Sequence, residues 1–359
     1  MTSPSDARRA GIIGMGLIGG SIGFALRQAG WFVTGTDVDE GTAGRALALG
    51  AVDALGVDAG ASVTFVATPV GAVAGVAREL LRATRGAVTD VGGVKAGVVA
   101  AVDDPRFVGG HPMAGSELAG VEGADADLFR NAAWVLTPTA RTDPDAFAMV
   151  LAAVAAMGAE VVAVDPEQHD AIVAVVSHVP HLTAASLMAI ADGHAREYEA
   201  PLLRLAAGGF RDMTRIAAGA TGIWPDVCAE NAAAITAVLD ELVAELARVR
   251  EIVAGQRRDD LVALLETSRA ARLALPGRTA RPAGEVVELR VPVPNREGVL
   301  ADVTTLATSL GVNIEALETA DATEHERGLI VMVVAAEAGH RLRDALVARG
   351  YRPVVQAIG

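Results

Sequence analysis

Cys228 is the only cysteine in 359 residues, which excludes an intrachain disulfide framework and suits a reducing compartment. Lysine is as rare: Lys95 is the single lysine among 30 basic residues. Aromatics make up 3%, and with abundant alanine and arginine this marks a compositional bias more than a task. Positive charge is also short. A formal net charge of −14 argues against general binding to nucleic acid or an anionic membrane surface, so an anionic ligand must meet a local positive site. The start, MTSPSDARRAG, runs into a strand without the apolar stretch of a signal peptide, so a cytoplasmic location is expected. Residues 171–191 are apolar enough to suggest a membrane span. His178, Pro180 and His181 interrupt their centre, so a buried helix is expected there.

What is present is the balance of a globular protein, 52% hydrophobic and 21% charged, with a length that predicts two or three domains. Between residues 8 and 165 short apolar runs alternate with helical stretches, the pattern of a helix-covered parallel sheet. The runs are Gly11–Ile13, Phe32–Thr36, Val63–Ala67, Ala87–Asp90, Phe107–Gly109, Ala133–Thr137 and Glu160–Val164. From 166 to 280 strand signals vanish and an all-helical second domain is expected. A linker punctuated by Pro276, Gly277, Pro282 and Gly284 follows. Residues 285–359 then read as βαββαβ, the order of a small ferredoxin-like module.

Gly14-Met15-Gly16-Leu17-Ile18-Gly19 matches G-x-G-x-x-G between a strand and a helix, and a second strand ends at Asp37. This is the context of a Rossmann-type dinucleotide site. Gly14 permits the tight turn, Gly16 admits the pyrophosphate, and Gly19 allows close packing. The helix start at Leu17 and Ile18 offers N–H groups to the phosphates. Asp37 would accept hydrogen bonds from ribose hydroxyls and repel a 2′-phosphate, which favours NAD over NADP.

Two further segments lie at the carboxyl ends of strands, where ligands bind in open α/β sheets. They are Asp90-Val91-Gly92-Gly93-Val94-Lys95 and His111-Pro112-Met113-Ala114-Gly115-Ser116-Glu117. His111 is suited to accept a proton near neutral pH. Lys95 is expected beside it, near the nicotinamide. In the helical region, His178 and His181 stand three residues apart on one face, with Pro180 withdrawing the N–H that would bond the Val176 carbonyl. Such a pair can form half of a zinc site, but no carboxylate or cysteine at ligand spacing accompanies it, so hydrogen bonding to substrate is preferred. Arg211 and Arg215 lie one turn apart, and an arginine fork matches a carboxylate.

In combination these motifs resemble the prephenate/arogenate dehydrogenase family of tyrosine biosynthesis. The matching pieces are GMGLIGGS, ATPV at Ala67–Val70, DVGGVK, HPMAGSELAGVEGADADLF, SHVPH, and GGFRDMTRIA running into Trp224 and Asn231. They cover about residues 10–250. The resemblance implies hydride transfer from the ring carbon bearing the hydroxyl to NAD⁺, with loss of the ring carboxylate as CO₂. It implies His111 as the base, Arg215 on the ring carboxylate, His181 with His178 at the side-chain end, and Ser116 and Glu117 lining the pocket. Thr68 and Pro69 would join the glycine turn and Lys95 in holding the cofactor. The family often has serine where this chain has Gly93, which leaves His111 one orienting partner short unless water or Lys95 substitutes.

The last module is similar to an ACT domain, through Asn295-Arg296-Glu297-Gly298-Val299-Leu300 and Gly311-Val312-Asn313-Ile314. A tyrosine effector there and a homodimer built on the helical domain are the partners expected. The acting substrate is prephenate or arogenate. Two other readings are a β-hydroxyacid dehydrogenase, which needs a lysine in its helical domain that this chain lacks, and a catalytically silent tyrosine sensor.

Overall fold

The computed structural model describes residues 8–116, 118–197, 205–219, 221–275, 285–294, 296–321 and 327–357. Glu117, Asn295 and the linker residues from Pro276 to Gly284 lie outside the described residues. The chain divides into two compact units, Met1–Leu246 and Ala247–Gly359. The expected boundary at 165 falls inside the first unit, and that at 280 falls outside the described residues.

The first unit is built on an eight-stranded sheet of β1 (Arg9–Ile13), β2 (Phe32–Thr36), β3 (Ala54–Leu55), β4 (Val63–Val66), β5 (Ala87–Asp90), β6 (Phe107–Pro112), β7 (Ala133–Thr137) and β8 (Glu160–Ala163). The strand order is β3-β2-β1-β4-β5-β6-β7-β8. Every residue of β4 and β5 is buried, as a strand covered on both faces requires. Helices α1 (Leu17–Gln28), α2 (Glu40–Leu49), α3 (Val70–Ala83), α4 (Ala96–Ala101) and α5 (Pro144–Ala156) connect the strands. Ile12, Phe65, Phe129, Trp134 and Leu136 are among the largest fully buried side chains of its core.

The expected parallel sheet is found from β1 to β6 and needs correction at one pairing, because β7 runs antiparallel to β6 and β8 follows β7. The reason lies in the connection. Among the described residues between β6 and β7 there is only a 3₁₀ turn, Val121–Gly123, and no crossover helix to return the chain in parallel. This loop is pinned on α1, where Ser21 Oγ accepts from the Asp125 N–H at 3.0 Å.

The strandless region continues as α6 (Pro166–Val173), a π turn (Ala174–His178), α7 (Val179–Glu197), α8 (Gly208–Thr214), a 3₁₀ turn (Arg215–Ala218), α9 (Trp224–Glu230) and α10 (Ala232–Ala254). Asp165 caps α6 by accepting from Glu167 and Gln168, with Pro166 in the first turn. The wide turn falls just where Pro180 withdraws its N–H. Residues Pro166–Arg196 are long and apolar enough to cross a membrane, yet they hold His169, Asp170 and His178 buried within the protein. Burial is one-sided: Val175, Val176 and Ile190 on the same stretch are more than half exposed.

The second unit holds α11 (Arg258–Leu273), then β9 (Val286–Pro294), α12 (Val299–Ser309), β10 (Ile314–Asp321), β11 (Arg327–Ala335), α13 (Ala336–Ala348) and β12 (Val354–Ala357). The four strands form an antiparallel sheet in the order β10-β11-β9-β12. Leu289, Val291, Ile330, Met332 and Leu342 centre its core.

Candidate active site

The glycine turn leaves β1 with Gly14 at φ +95°, where a Cβ would lie 2.4 Å from the Ala67 carbonyl oxygen. A Cβ on Gly19 would sit 1.8 Å from the Gly14 carbonyl oxygen, so the first turn of α1 closes only on hydrogen. Gly16 behaves differently: a Cβ there meets nothing within 4 Å, and the N-terminus of α1 that it caps has no side-chain cap. Unsatisfied N–H groups at Leu17 and Ile18 therefore face open space at the positive end of the helix. Asp37 accepts from the Met15 N–H at 2.7 Å and the Asp39 N–H at 2.9 Å, each oxygen keeping a lone pair for a ribose hydroxyl. The Thr68 hydroxyl is buried without a partner. An open phosphate cradle, a ribose acceptor and an orphaned hydroxyl fit a dinucleotide.

The carboxyl ends of β5 and β6 hold the reactive groups. His111 lies within β6, where sequence pattern alone ended the strand at Gly109. Its Nδ1 is 2.9 Å from His169 Nε2, and His169 Nδ1 is 2.7 Å from Asp170 Oδ1. The Asp170 carboxylate also accepts from the Lys95 N–H at 2.7 Å and the Ala96 N–H at 2.9 Å. Burial opposes its ionisation, but the hydrogen bonds from His169, Ala96 and Lys95 outweigh burial and hold its carboxyl below the usual range. Ionised Asp170 accepts a hydrogen bond from His169 Nδ1–H. Nε2 of that ring is then an acceptor for His111 Nδ1–H, and the lone pair of His111 falls on Nε2. Nε2 has no partner among the described residues, and a Cβ on Gly93 would lie 3.8 Å from it. The serine position of the family is thus open space beside the basic nitrogen.

Lys95 does not reach that space, which corrects its expected place at the cofactor. Its side chain is fully buried, with Nζ paired to Asp90 and donating to the Gly110 carbonyl at 2.9 Å. A cation without solvent finds its counterion first. It cannot substitute for a hydroxyl at Gly93.

His178 is buried, its ring edge toward Trp224, while His181 stacks on Trp224 with centroids 3.8 Å apart. Trp224 thus borders both imidazoles, and no metal-binding cluster of three side chains exists among the described residues. The turn carrying exposed Arg215 packs against α7, with Gly219 next to the His181 ring. Ser116 is exposed and accepts from the Leu118 N–H at 3.0 Å, so its hydroxyl closes a local turn. Sequence reasoning missed His169, Asp170 and Asp90, and quoted Asn231 and Trp224 without a role. The one available signal was the acid beside histidine in the middle of the short helix after Asp165-Pro166.

Burial, with His169, Lys95 and His178 nearby, pushes the His111 imidazole well below 6.5. Burial also lowers His178 and His181. All three bind protons less readily in the folded protein than in the unfolded chain, which takes them up first as pH falls through 6.5. Stability is therefore expected to fall as pH drops below 6.5, and the acid limb of kcat/KM to lie below that value. Unfolding and rate profiles between about pH 5 and 8 check both.

The family profile "Prephenate dehydrogenase, nucleotide-binding domain" matches residues 22–163, and "Prephenate dehydrogenase, dimerization domain" matches residues 165–267. A prephenate dehydrogenase of Bacillus subtilis is 34% identical over 342 residues, 89% of this chain and 90% of the relative. A cyclohexadienyl dehydrogenase of Zymomonas mobilis is 35% identical over 74% of this chain and 94% of its own. The crystal structure of a prephenate dehydrogenase from A. aeolicus, in complex with hydroxyphenyl propionate and NAD⁺, superposes with a TM-score of 0.71 at 28% identity, covering 76% of this chain and all of that one. With the two profiles covering most of residues 22–267 and the Bacillus relative covering 89% of the chain, the chain belongs to the prephenate dehydrogenase family.

Proposed function

We propose that this chain catalyses the NAD-dependent oxidative decarboxylation of prephenate to 4-hydroxyphenylpyruvate. The observation that carries it is the Asp170–His169–His111 chain ending on an unpartnered Nε2 beside Gly93. NAD⁺, when bound, supplies the hydride acceptor. Gly14, Gly16, Leu17, Ile18 and Gly19 would cradle its pyrophosphate, Asp37 its ribose, and Thr68 with Pro69 would border it.

His111 Nε2 takes the proton of the ring hydroxyl as hydride leaves the same carbon. The imidazolium that forms donates from Nδ1 to His169, whose ring is steadied by Asp170. Loss of CO₂ leaves an electron pair that makes the ring aromatic, and the proton on His111 returns to the phenolic oxygen. No net proton is released. Arg215 would hold the departing carboxylate, with His178, His181, Ser116 and Glu117 at the rest of the substrate. NADH formation with prephenate and with arogenate tests the assignment. Faster turnover of arogenate would reassign the substrate, and none with either would leave a sensor.

The apolar groove between α7 and α10, about 690 Å³ and lined by Val179, Leu187, Val238 and Leu242, is read as the seat of a second copy. The match to a dimerization domain supports this, and it accounts for the exposed Val175, Val176 and Ile190.

The βαββαβ unit of residues 285–359 is read as an ACT module that binds tyrosine. Its sheet order supports this, as do Gly298 and Gly311 at positive φ in the two motif turns. The Zymomonas relative matches over 94% of its length while covering 74% of this chain, which supports a catalytic part that works without the remainder. Deleting residues 285–359 is expected to preserve turnover and abolish inhibition by tyrosine. Inhibition that persists would put the effector in the active site.

A further inference from the structure

Asn231 follows α9 and is buried, and no step above uses it. Its Nδ2 lies 2.9 Å from the Asp170 main-chain carbonyl oxygen and 3.2 Å from His178 Nδ1. A carbonyl oxygen only accepts, so the group facing it is the amide NH₂ and the orientation of Asn231 is settled by chemistry. The two amide hydrogens are shared between that carbonyl and the imidazole. His178 Nδ1 must then carry a lone pair. The ring proton sits on Nε2, which has no partner among the described residues and is not sealed from solvent.

We propose that Asn231 is a positioning residue that locks His178 in its Nε2–H tautomer and so presents a neutral hydrogen-bond donor to an anionic group of the substrate. The same amide tethers the main chain of Asp170, the anchor of the proton relay, to the imidazole that contacts substrate. One residue thereby sets the spacing between the basic and the binding histidine. The charged and titratable groups around His178 are Asp170 and His169 on α6, with His111 on β6 close to the ring. Burial, against the opposing pull of Asp170, keeps the ring neutral. The kinetic part of this proposal rests on the prephenate reading; the tautomer does not.

The decisive variant is Asn231→Asp, which keeps the volume and puts an acceptor where the donor stood. The long-range ¹H–¹⁵N spectrum of histidine-labelled protein, with His178 assigned by His178→Gln, reports which ring nitrogen holds the proton. Wild type is expected to show Nε2–H and Asn231→Asp to show Nδ1–H or the imidazolium. KM for prephenate should rise about tenfold at pH 8, the scale of one hydrogen bond to a charged group, and recover as pH falls and both nitrogens become donors. The kcat should change less. A wild-type His178 protonated at Nδ1 overturns the proposal even if the variant does not fold. So does an Asn231→Asp enzyme with the wild-type tautomer or the wild-type pH profile of KM. Absence of NADH formation by wild type with prephenate would sink the substrate assignment while leaving the spectrum to decide the tautomer.

Discussion

Replacing His111 by asparagine is expected to lower kcat with prephenate by about 10² or more, the scale of losing a general base, while NAD affinity stays unchanged. The two effects separate because the groups separate. The proposed cofactor cradle is made by the turn after β1 and by Asp37, whereas His111 lies near the end of β6. Asparagine keeps a donor for His169 Nε2, so the buried pair of His169 and Asp170 stays satisfied and the fold is spared. What is lost is the basic lone pair at Nε2. Steady-state kinetics with calorimetric titration of NAD measures both quantities. An unchanged kcat would remove His111 from the role of base, and a lost NAD affinity would show that it supports the cofactor instead.

Replacing Lys95 by methionine is expected to destabilise the protein by about 3–5 kcal/mol, the usual penalty for stripping one partner from a buried ion pair. Asp90 and Lys95 are both without solvent exposure. Without the ammonium, the Asp90 carboxylate would keep only the N–H groups of Gly92 at 2.8 Å and Gly110 at 3.0 Å. It would also stay charged or protonate at a cost. Denaturant unfolding should show a lower midpoint at unchanged slope. The double variant Lys95→Met with Asp90→Leu should recover much of the loss, because no orphaned charge remains. A single variant within about 1 kcal/mol of wild type would mean that the pair contributes little beyond its own desolvation. Glycine-rich backbone on both sides, Gly92-Gly93 and Gly109-Gly110, lets the two strand ends approach closely around this pair.

The first fifty residues were the easiest to read, because a strand, a glycine turn, a helix and an acidic strand end are local features with fixed spacing. The same holds for the βαββαβ order near the C-terminus. The reversal of β7 was hidden, since its apolar run looks like that of any covered strand and direction depends on what the preceding loop can span. Lys95 misled for a related reason. A lone lysine at the carboxyl end of a strand reads as a ligand group until the side chain is seen turned inward onto Asp90. His169 and Asp170 carry little local signal, because an acid and a histidine within a short helix resemble an ordinary solvated face.

By itself, the order of residues determined the cofactor class, the histidine proposed as base at position 111, and the family that joins them, because each rests on a short motif whose chemistry is local. Only the tertiary structure decided how that base is armed. Residues 111, 169 and 170 are brought together by β6 and α6, Asn231 reaches back from the end of α9 to His178 and Asp170, and Lys95 is taken out of the site. The physical reason is that a tautomer and a buried charge are properties of neighbours in space. A hydrogen bond between residues 58 or 61 positions apart leaves no trace in either stretch of sequence.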